Sequence, residues 1–262
     1  MAGVLFDLDG VFYVGGEAVE GAAMALDWFR RRDIPYLFLT NTTTRPRSAL
    51  VEKLRGFGIE TDAEHILTPP VAARRWIQDH AQGRSALFVP EATRAEFDGL
   101  DLAGPDAQPP LAAVVVGDLG EEWDFATYNA VFRLLMSEPR PALVALGMTR
   151  YWRAPDGLRL DVGAYVSGLE YACGINAVVM GKPAGAFFHT ALDIIGCKAD
   201  GTIMIGDDIR TDVGGAQAAG IDGVLVRTGK FREEDLDRDI QPVAVLDSVA
   251  DLPAWWERRS GP

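Results

Sequence analysis

Short apolar runs alternate with amphipathic segments along the whole chain. Val4-Leu5-Phe6 and Tyr36-Leu37-Phe38-Leu39 read as buried strands, as do residues 86–89, 112–116, 142–145, 178–180, 202–205, 223–226 and 243–246. Between them the spacing predicts helices over 21–32, 47–56, 91–97, 125–136, 161–172, 187–195, 213–219 and 249–257. Another opens at Pro69-Pro70 and runs to about residue 80. In the first helix Ala22, Leu26 and Phe29 share a face, and Pro35 prevents its continuation. Residues 11–16 read as a loop, and 58–68 as a loop with a short strand. Pro155-Asp156-Gly157 lies between two strand-like segments and predicts a hairpin. Strands that alternate with helices imply an α/β fold with a mostly parallel sheet covered on both faces. Residues 86–145 form a β-α-β-α-β run of their own, a candidate separate unit.

Composition narrows the function classes. The chain has 262 residues, enough for two domains, with 48% hydrophobic and 24% charged residues. Its 38 acidic against 25 basic residues leave a net charge of −13, which disfavours nucleic acid or an anionic membrane as the main partner. A small anionic substrate stays compatible, because a local cation overrides the overall sign. No apolar run reaches membrane-span length, and the chain enters a strand directly without the pattern of a signal peptide. Cys173 and Cys197 lack partners at ligand spacing, so neither a disulfide scaffold nor structural zinc is expected. The expectation is a protein of a reducing cytoplasm.

The candidate chemistry lies at strand ends. Asp7-Leu8-Asp9-Gly10 places two carboxylates where open α/β sheets bind ligands, and strand alternation would aim both the same way. Such a pair repels unless a cation or a shared proton relieves it; alone it could also be an ordinary Asp-Gly turn. Thr40-Asn41-Thr42-Thr43 suits phosphate oxygens or a helix cap. Lys182, in Gly181-Lys182-Pro183, offers a compact positive charge or is an exposed lysine beside a turn. Gly206-Asp207-Asp208-Ile209-Arg210-Thr211-Asp212 again delivers carboxylates from a buried strand. Asp7, Asp9 and Asp207 are hard oxygen donors of the type that suits Mg2+. His65, His80 and His189 are scattered and need no catalytic role. No G-x-G-x-x-G follows the first strand, which argues against a dinucleotide enzyme.

These four motifs, in this order, resemble those of the haloacid dehalogenase superfamily. The resemblance implies a Rossmann-like doubly wound parallel sheet core with an inserted α/β cap domain. Thr40 comes 31 positions after Asp9, and Lys182 comes 142 after Thr40, so the insertion falls in the second gap. That is similar to the type-two cap of NagD-like phosphatases, with the core expected at 1–78 and 178–262 and the cap at 79–177. Within them, the segment from Arg150 to Pro183 looks closest to the phospholysine phosphohistidine inorganic pyrophosphate phosphatase branch.

By resemblance, Asp7 is the nucleophile and Asp9 the general acid and base. Asp7, Asp207 and the backbone carbonyl of Asp9 hold Mg2+, while Lys182, Thr40 and Asn41 bind the phosphoryl group. Asp208 and Asp212 are expected to orient ligands or Lys182, or to cap the following helix, with direct metal contact open for Asp208. Members of that branch carry serine where this chain has Asp9, which makes a general phosphomonoesterase more plausible here and leaves the branch's substrate in doubt. The reading is a Mg2+-dependent phosphatase of small phosphorylated metabolites, with pyrophosphate or phosphoamides as further substrates. A phosphotransferase or mutase, or a non-catalytic metabolite-binding protein, is the alternative. Tyr151, Trp152 and Arg153 are candidates for leaving-group contacts, for cap packing or for a subunit contact; the resemblance allows a homodimer through the cap and leaves the oligomeric state open.

Overall fold

Val4, Leu5 and Phe6 have no solvent exposure, and the strand they form sits inside the larger of the protein's sheets. The structure is a computed structural model describing residues 2–104, 106–154, 156–237 and 239–259, with the Arg153 side chain outside that description. Pro155, the first residue of the expected hairpin turn, also lies outside the described residues.

In chain order the elements begin β1 (Val4–Asp7), β2 (Tyr13–Val14), β3 (Glu17–Ala18), α1 (Ala22–Arg30), β4 (Tyr36–Leu39), α2 (Arg47–Gly56), β5 (Ile66–Leu67) and α3 (Pro69–His80). There follow β6 (Ser85–Phe88), β7 (Ala113–Val116), α4 (Phe125–Leu135), β8 (Ala142–Ala145), β9 (Tyr151–Ala154), β10 (Gly157–Leu160), α5 (Val162–Cys173) and β11 (Val178–Val179). The chain closes with α6 (Gly185–Ile195), β12 (Ile203–Gly206), α7 (Gly215–Ala218), β13 (Asp222–Val226), β14 (Ala244–Leu246) and α8 (Leu252–Arg259).

These elements form two compact units: Met1–Thr40, Arg47–Leu67 and Lys182–Pro262 make the first, Asn41–Pro46 and Thr68–Gly181 the second. The segment 79–177, expected as an insertion, lies within the second. In the first unit a parallel sheet runs in the order β14-β13-β12-β1-β4-β5. The chain lays β4 and β5 on one side of β1, then returns to build β12, β13 and β14 on the other. Order reverses at β1, and the crevice beyond its carboxyl end is where such sheets accept ligands.

Strand alternation sorts the side chains into two layers. Val4, Phe6, Tyr36, Phe38, Ile203 and Ile205 join one core with Leu26 and Phe29 of α1, Leu54 of α2 and Trp256 of α8. The intervening Leu5, Leu37, Leu39 and Met204 are equally buried, and α6 packs against β4 and α7. Phe6 anchors the first layer, with ring centroids 5.3 Å from Phe12, 5.7 Å from Phe29 and 6.0 Å from Phe38. Such edge-on and tilted pairs add to the burial of the rings themselves.

The second unit has its own parallel sheet, β11-β8-β7-β6, and its own core of Val114, Val116, Leu143, Val131, Leu135, Val166 and Leu169. Asp124 caps α4 by accepting from Thr127 N at 2.7 Å, and Asp161 caps α5 by accepting from Val162 N at 2.6 Å. The β9–β10 hairpin is antiparallel, with Trp152 opposite Arg159 and Tyr151 opposite Leu160. Tyr151, Trp152, Leu158 and Leu160 are all exposed, so they are not core of this unit.

Three local expectations change. Residues 11–16 carry half of the β2–β3 ribbon, because Gly15-Gly16 turns the chain and pairs Val14 with Glu17. Residues 91–97 form a 3-10 helix, a form suited to a segment too short to nucleate an α-helix well. The helix expected at 213–219 begins earlier, as a π turn over Ile209–Gly214 capped by Asp208. No helix among the described residues is long and apolar enough to cross a membrane.

The aromatic cluster makes a direct prediction. Phe6→Ala should lower the unfolding free energy by about 3–5 kcal/mol, the usual cost of emptying a buried phenyl site. A denaturant titration showing a loss below about 1 kcal/mol would remove Phe6 from its place as the anchor of this layer.

Candidate active site

Each candidate side chain reaches the site because a buried strand ends where it does. β1 stops at Asp7, which pairs in register with Leu39, and Thr40 follows directly. Thr40 is buried, with its N–H donating to Leu67 O at 3.2 Å. β12 stops at Gly206 and hands the chain to Asp207. Lys182 opens the last stretch of the first unit and is itself buried.

The central contact is an ion triplet. Lys182 Nζ lies 2.6 Å from Asp7 Oδ1 and 2.7 Å from Asp212 Oδ1, and donates to Leu39 O at 3.3 Å. Burial would lower the Lys182 pKa, but the Asp212 and Asp7 carboxylates outweigh it and hold the ammonium protonated. Burial pushes Asp7 upward, against the pull of Lys182. Asp212 rises to about 6 for the same reason, burial first, opposed by Lys182 and reinforced by Asp7. Its second oxygen accepts from Asp208 N at 3.1 Å.

Asp207 completes the group. One oxygen each of Asp7, Asp207 and Asp212 lie within 4.8 Å of one another, all three residues buried. Asp207 Oδ2 accepts from Lys230 N at 2.7 Å, whereas buried Oδ1 accepts from no described residue. The carboxyl is raised to about 6, by burial above all, with the Lys230 N–H opposing and Asp212 adding to the rise. Gly10 and Gly229 make this approach possible: a Cβ at either would collide with Asp207 Oδ2, and both have positive φ, 92° and 67°. Thr228 Oγ1 donates to Gly10 O, tying the two loops together.

Three buried carboxylates against one ammonium leave excess negative charge in a place of low polarity, which is costly without a further cation. With an acceptor oxygen left bare on Asp207 and an all-oxygen donor set, these residues fit a divalent metal of the Mg2+ type.

The remaining sequence candidates divide. Asp9 stands outside the cluster: the alternation expected to aim it with Asp7 ends at Asp7, where the chain turns and Phe12 N donates to Leu8 O at 2.9 Å. Its carboxylate is exposed. Asp208 is occupied as a cap, its Oδ1 accepting from Arg210 N at 2.9 Å and Thr211 N at 3.0 Å. Asn41 begins the second unit, where its Oδ1 lies 3.2 Å from the place a Cβ on Gly181 would take. His65 stacks on Tyr36 and His80 on Trp76, while His189 is exposed on α6. The part played by the loop after β13, with Gly229 and Lys230, escaped the sequence reading; its only signal was another glycine at a strand end.

Comparison with known proteins identifies the family. A haloacid dehalogenase-like hydrolase family model matches residues 4–103, and a HAD-hydrolase-like model matches 179–252. The human phospholysine phosphohistidine inorganic pyrophosphate phosphatase is 40% identical over 254 residues, covering 95% of this chain and 92% of that protein. Among solved structures, the p-nitrophenyl phosphatase of Archaeoglobus fulgidus superposes with a TM-score of 0.85 at 27% identity, covering 97% of this chain and 98% of that one. NagD of E. coli K-12 shares the fold, with a TM-score of 0.84 at 21% identity over 96% of this chain and 98% of that one. The chain belongs to the haloacid dehalogenase-like hydrolases. Within them it is an enzyme of the phosphatase class.

The excess of buried carboxylates predicts a stability that falls as pH rises. Asp207 is raised from 3.8 to about 6 in the fold, so its contribution to stability is full below about pH 4 and is lost as pH rises through 6. Without divalent metal, Asp207→Asn should therefore gain stability relative to the parent between pH 4 and 7, by about 1–3 kcal/mol. Excess Mg2+ should reverse the order. Thermal melts in which the variant is less stable at pH 7 without metal would contradict this account of the cluster.

Proposed function

We propose that the chain is a Mg2+-dependent phosphatase of small phosphorylated metabolites, working through an aspartyl-phosphate on Asp7. The observation that carries this reading is the buried Asp7 carboxylate, gripped by Lys182 beside the bare oxygen of Asp207. A nucleophile so placed splits one hard displacement into two easier ones.

Asp7 attacks phosphorus, and Asp9 gives its proton to the departing oxygen. Asp9 then takes a proton from water, which hydrolyses the acyl phosphate and restores Asp7. The exposed position of Asp9 suits a group that must meet first the leaving group and then water. Lys182 offsets charge on Asp7 and on the phosphoryl oxygens, while Thr40 and Asn41 orient them. Asp212 keeps Lys182 charged and in place. The carboxylates of Asp7 and Asp207 and the backbone carbonyl of Asp9 would hold Mg2+. When bound, the metal supplies charge neutralisation for the transferring phosphoryl group.

Residues 79–177 then act as the cap domain, with 1–78 and 178–262 as the core, and choose the leaving group, with Tyr151 and Trp152 of the exposed hairpin as contacts or as part of a dimer surface. The name of the human relative supports pyrophosphate and phosphoamides as substrates beside monoesters. Free thiols at Cys173 and Cys197 suit a reducing cytoplasm.

Phosphate release from a broad panel of phosphometabolites tests the reading. Asp7→Asn should reduce release by about a thousandfold or more while the fold persists. Removing divalent metal should stop turnover and Mg2+ should restore it. Turnover retained in a clean Asp7→Asn preparation would end the nucleophile assignment.

A further inference from the structure

Beside Asp207 the first unit carries a depression of about 260 Å3 with three cations on its wall, Arg210, Lys230 and Arg232, and three carboxylates, Asp207, Asp208 and Asp235. A liquid water takes about 30 Å3, so the depression has room for an oxyanion and its hydration. The carboxylates are already engaged. Asp208 accepts from the backbone of Arg210 and Thr211, and Asp235 accepts from Arg232 N at 2.9 Å. Asp207 faces the buried cluster and the Lys230 N–H.

Exposed arginines elsewhere in the chain are of both kinds: Arg32 pairs with Glu257, Arg159 with Asp156, Arg227 with Glu233 and Arg259 with Asp222, while Arg31, Arg75 and Arg258 have no ion pair among the described residues. The guanidinium groups of Arg210 and Arg232 have no ion pair among the described residues. Two unpaired guanidinium groups converge with Lys230 on one depression that shares Asp207 with the proposed metal site. Such forks match the oxygens of a phosphate or carboxylate.

We infer that this depression is a subsite for a second anionic group of the substrate, carried beside the phosphoryl group that Asp7 receives. The inference rests on the phosphatase reading and adds a specificity element contributed by the core unit. A substrate with one phosphoryl group and a neutral remainder leaves the subsite to water. One with a second oxyanion gains charge-assisted hydrogen bonds there, each strong enough to shift affinity about tenfold.

The test uses the full chain at fixed free Mg2+, with p-nitrophenyl phosphate as substrate and pyrophosphate or orthophosphate as competitor. In the double variant Arg210→Ala, Arg232→Ala, the inhibition constant of pyrophosphate should rise about tenfold or more. The KM for p-nitrophenyl phosphate and the inhibition constant of orthophosphate should stay within about twofold. Parallel rises for both competitors would overturn the subsite, assigning the arginines to free phosphate or to the general field of the site. An unchanged pyrophosphate constant would overturn it too. Absence of Asp7-dependent p-nitrophenyl phosphate turnover in the parent would instead count against the phosphatase reading. Calorimetric titration of pyrophosphate into the parent and the double variant would then still read the subsite.

Discussion

Lys182 is buried between Asp7 and Asp212, and much of the site depends on that placement. An ammonium taken out of water is costly, and so is each carboxylate; together they offset one another only at close range and in good geometry. The two short contacts, with the Leu39 carbonyl as a third acceptor, meet that condition. Asp7 is thereby held in one direction, an orientation that a nucleophile needs. Removing the lysine would leave two buried carboxylates facing each other beside a third. On the proposed mechanism the triplet serves stability and chemistry at once, so a change to one use changes the other.

The sheet makes the triplet possible. β1 and β12 are neighbours in register, so Asp7 and Asp207 leave adjacent strands at the same edge. Order reverses at β1, which opens the edge to a ligand rather than closing it with a crossover. Aromatic packing beneath, from Phe6 to Phe29 and Phe38, keeps the strand from shifting under the repulsion above it. Asp207 is pressed against Gly10 and Gly229, so the loops after β1 and β13 meet over one carboxylate. Its remaining oxygen accepts from no donor among the described residues. That is the arrangement a metal requires, and it arises from close backbone approach more than from the acidic residues alone.

The exposed arginines beside Asp207 extend this logic to the surface. In a chain with a net charge of −13, what marks Arg210 and Arg232 is that both line one depression with Lys230. The neighbouring acids keep their charge although they accept from backbone N–H groups, so three cations and three carboxylates balance on that wall. What the arginines offer an anion is therefore directed guanidinium hydrogen bonds rather than a positive field.

Local sequence alone determined the buried strands, though not the β2–β3 ribbon, since four-residue apolar runs such as Tyr36–Leu39 leave little choice but burial. It also determined which carboxylates end them, because Asp7 and Asp207 follow those runs directly. The partnership of Asp7 with Lys182 was suggested by motif order, but 175 positions separate the two, and only folding brings them within 2.6 Å. That Asp208 and Asp212 would orient Lys182 or cap the following helix was expected from the motif; tertiary structure decided that Asp212 takes the first role and Asp208 the second, and it alone set the Lys230 N–H on Asp207. It also decided the separation of Asp9 from Asp7, because a strand's alternation says nothing once the strand has ended. Periodicity reports which face of an element is buried; it carries no information about which two strand ends will stand a hydrogen bond apart. That distance is settled by sheet order, register and the close approach of glycines, and these belong to the whole chain.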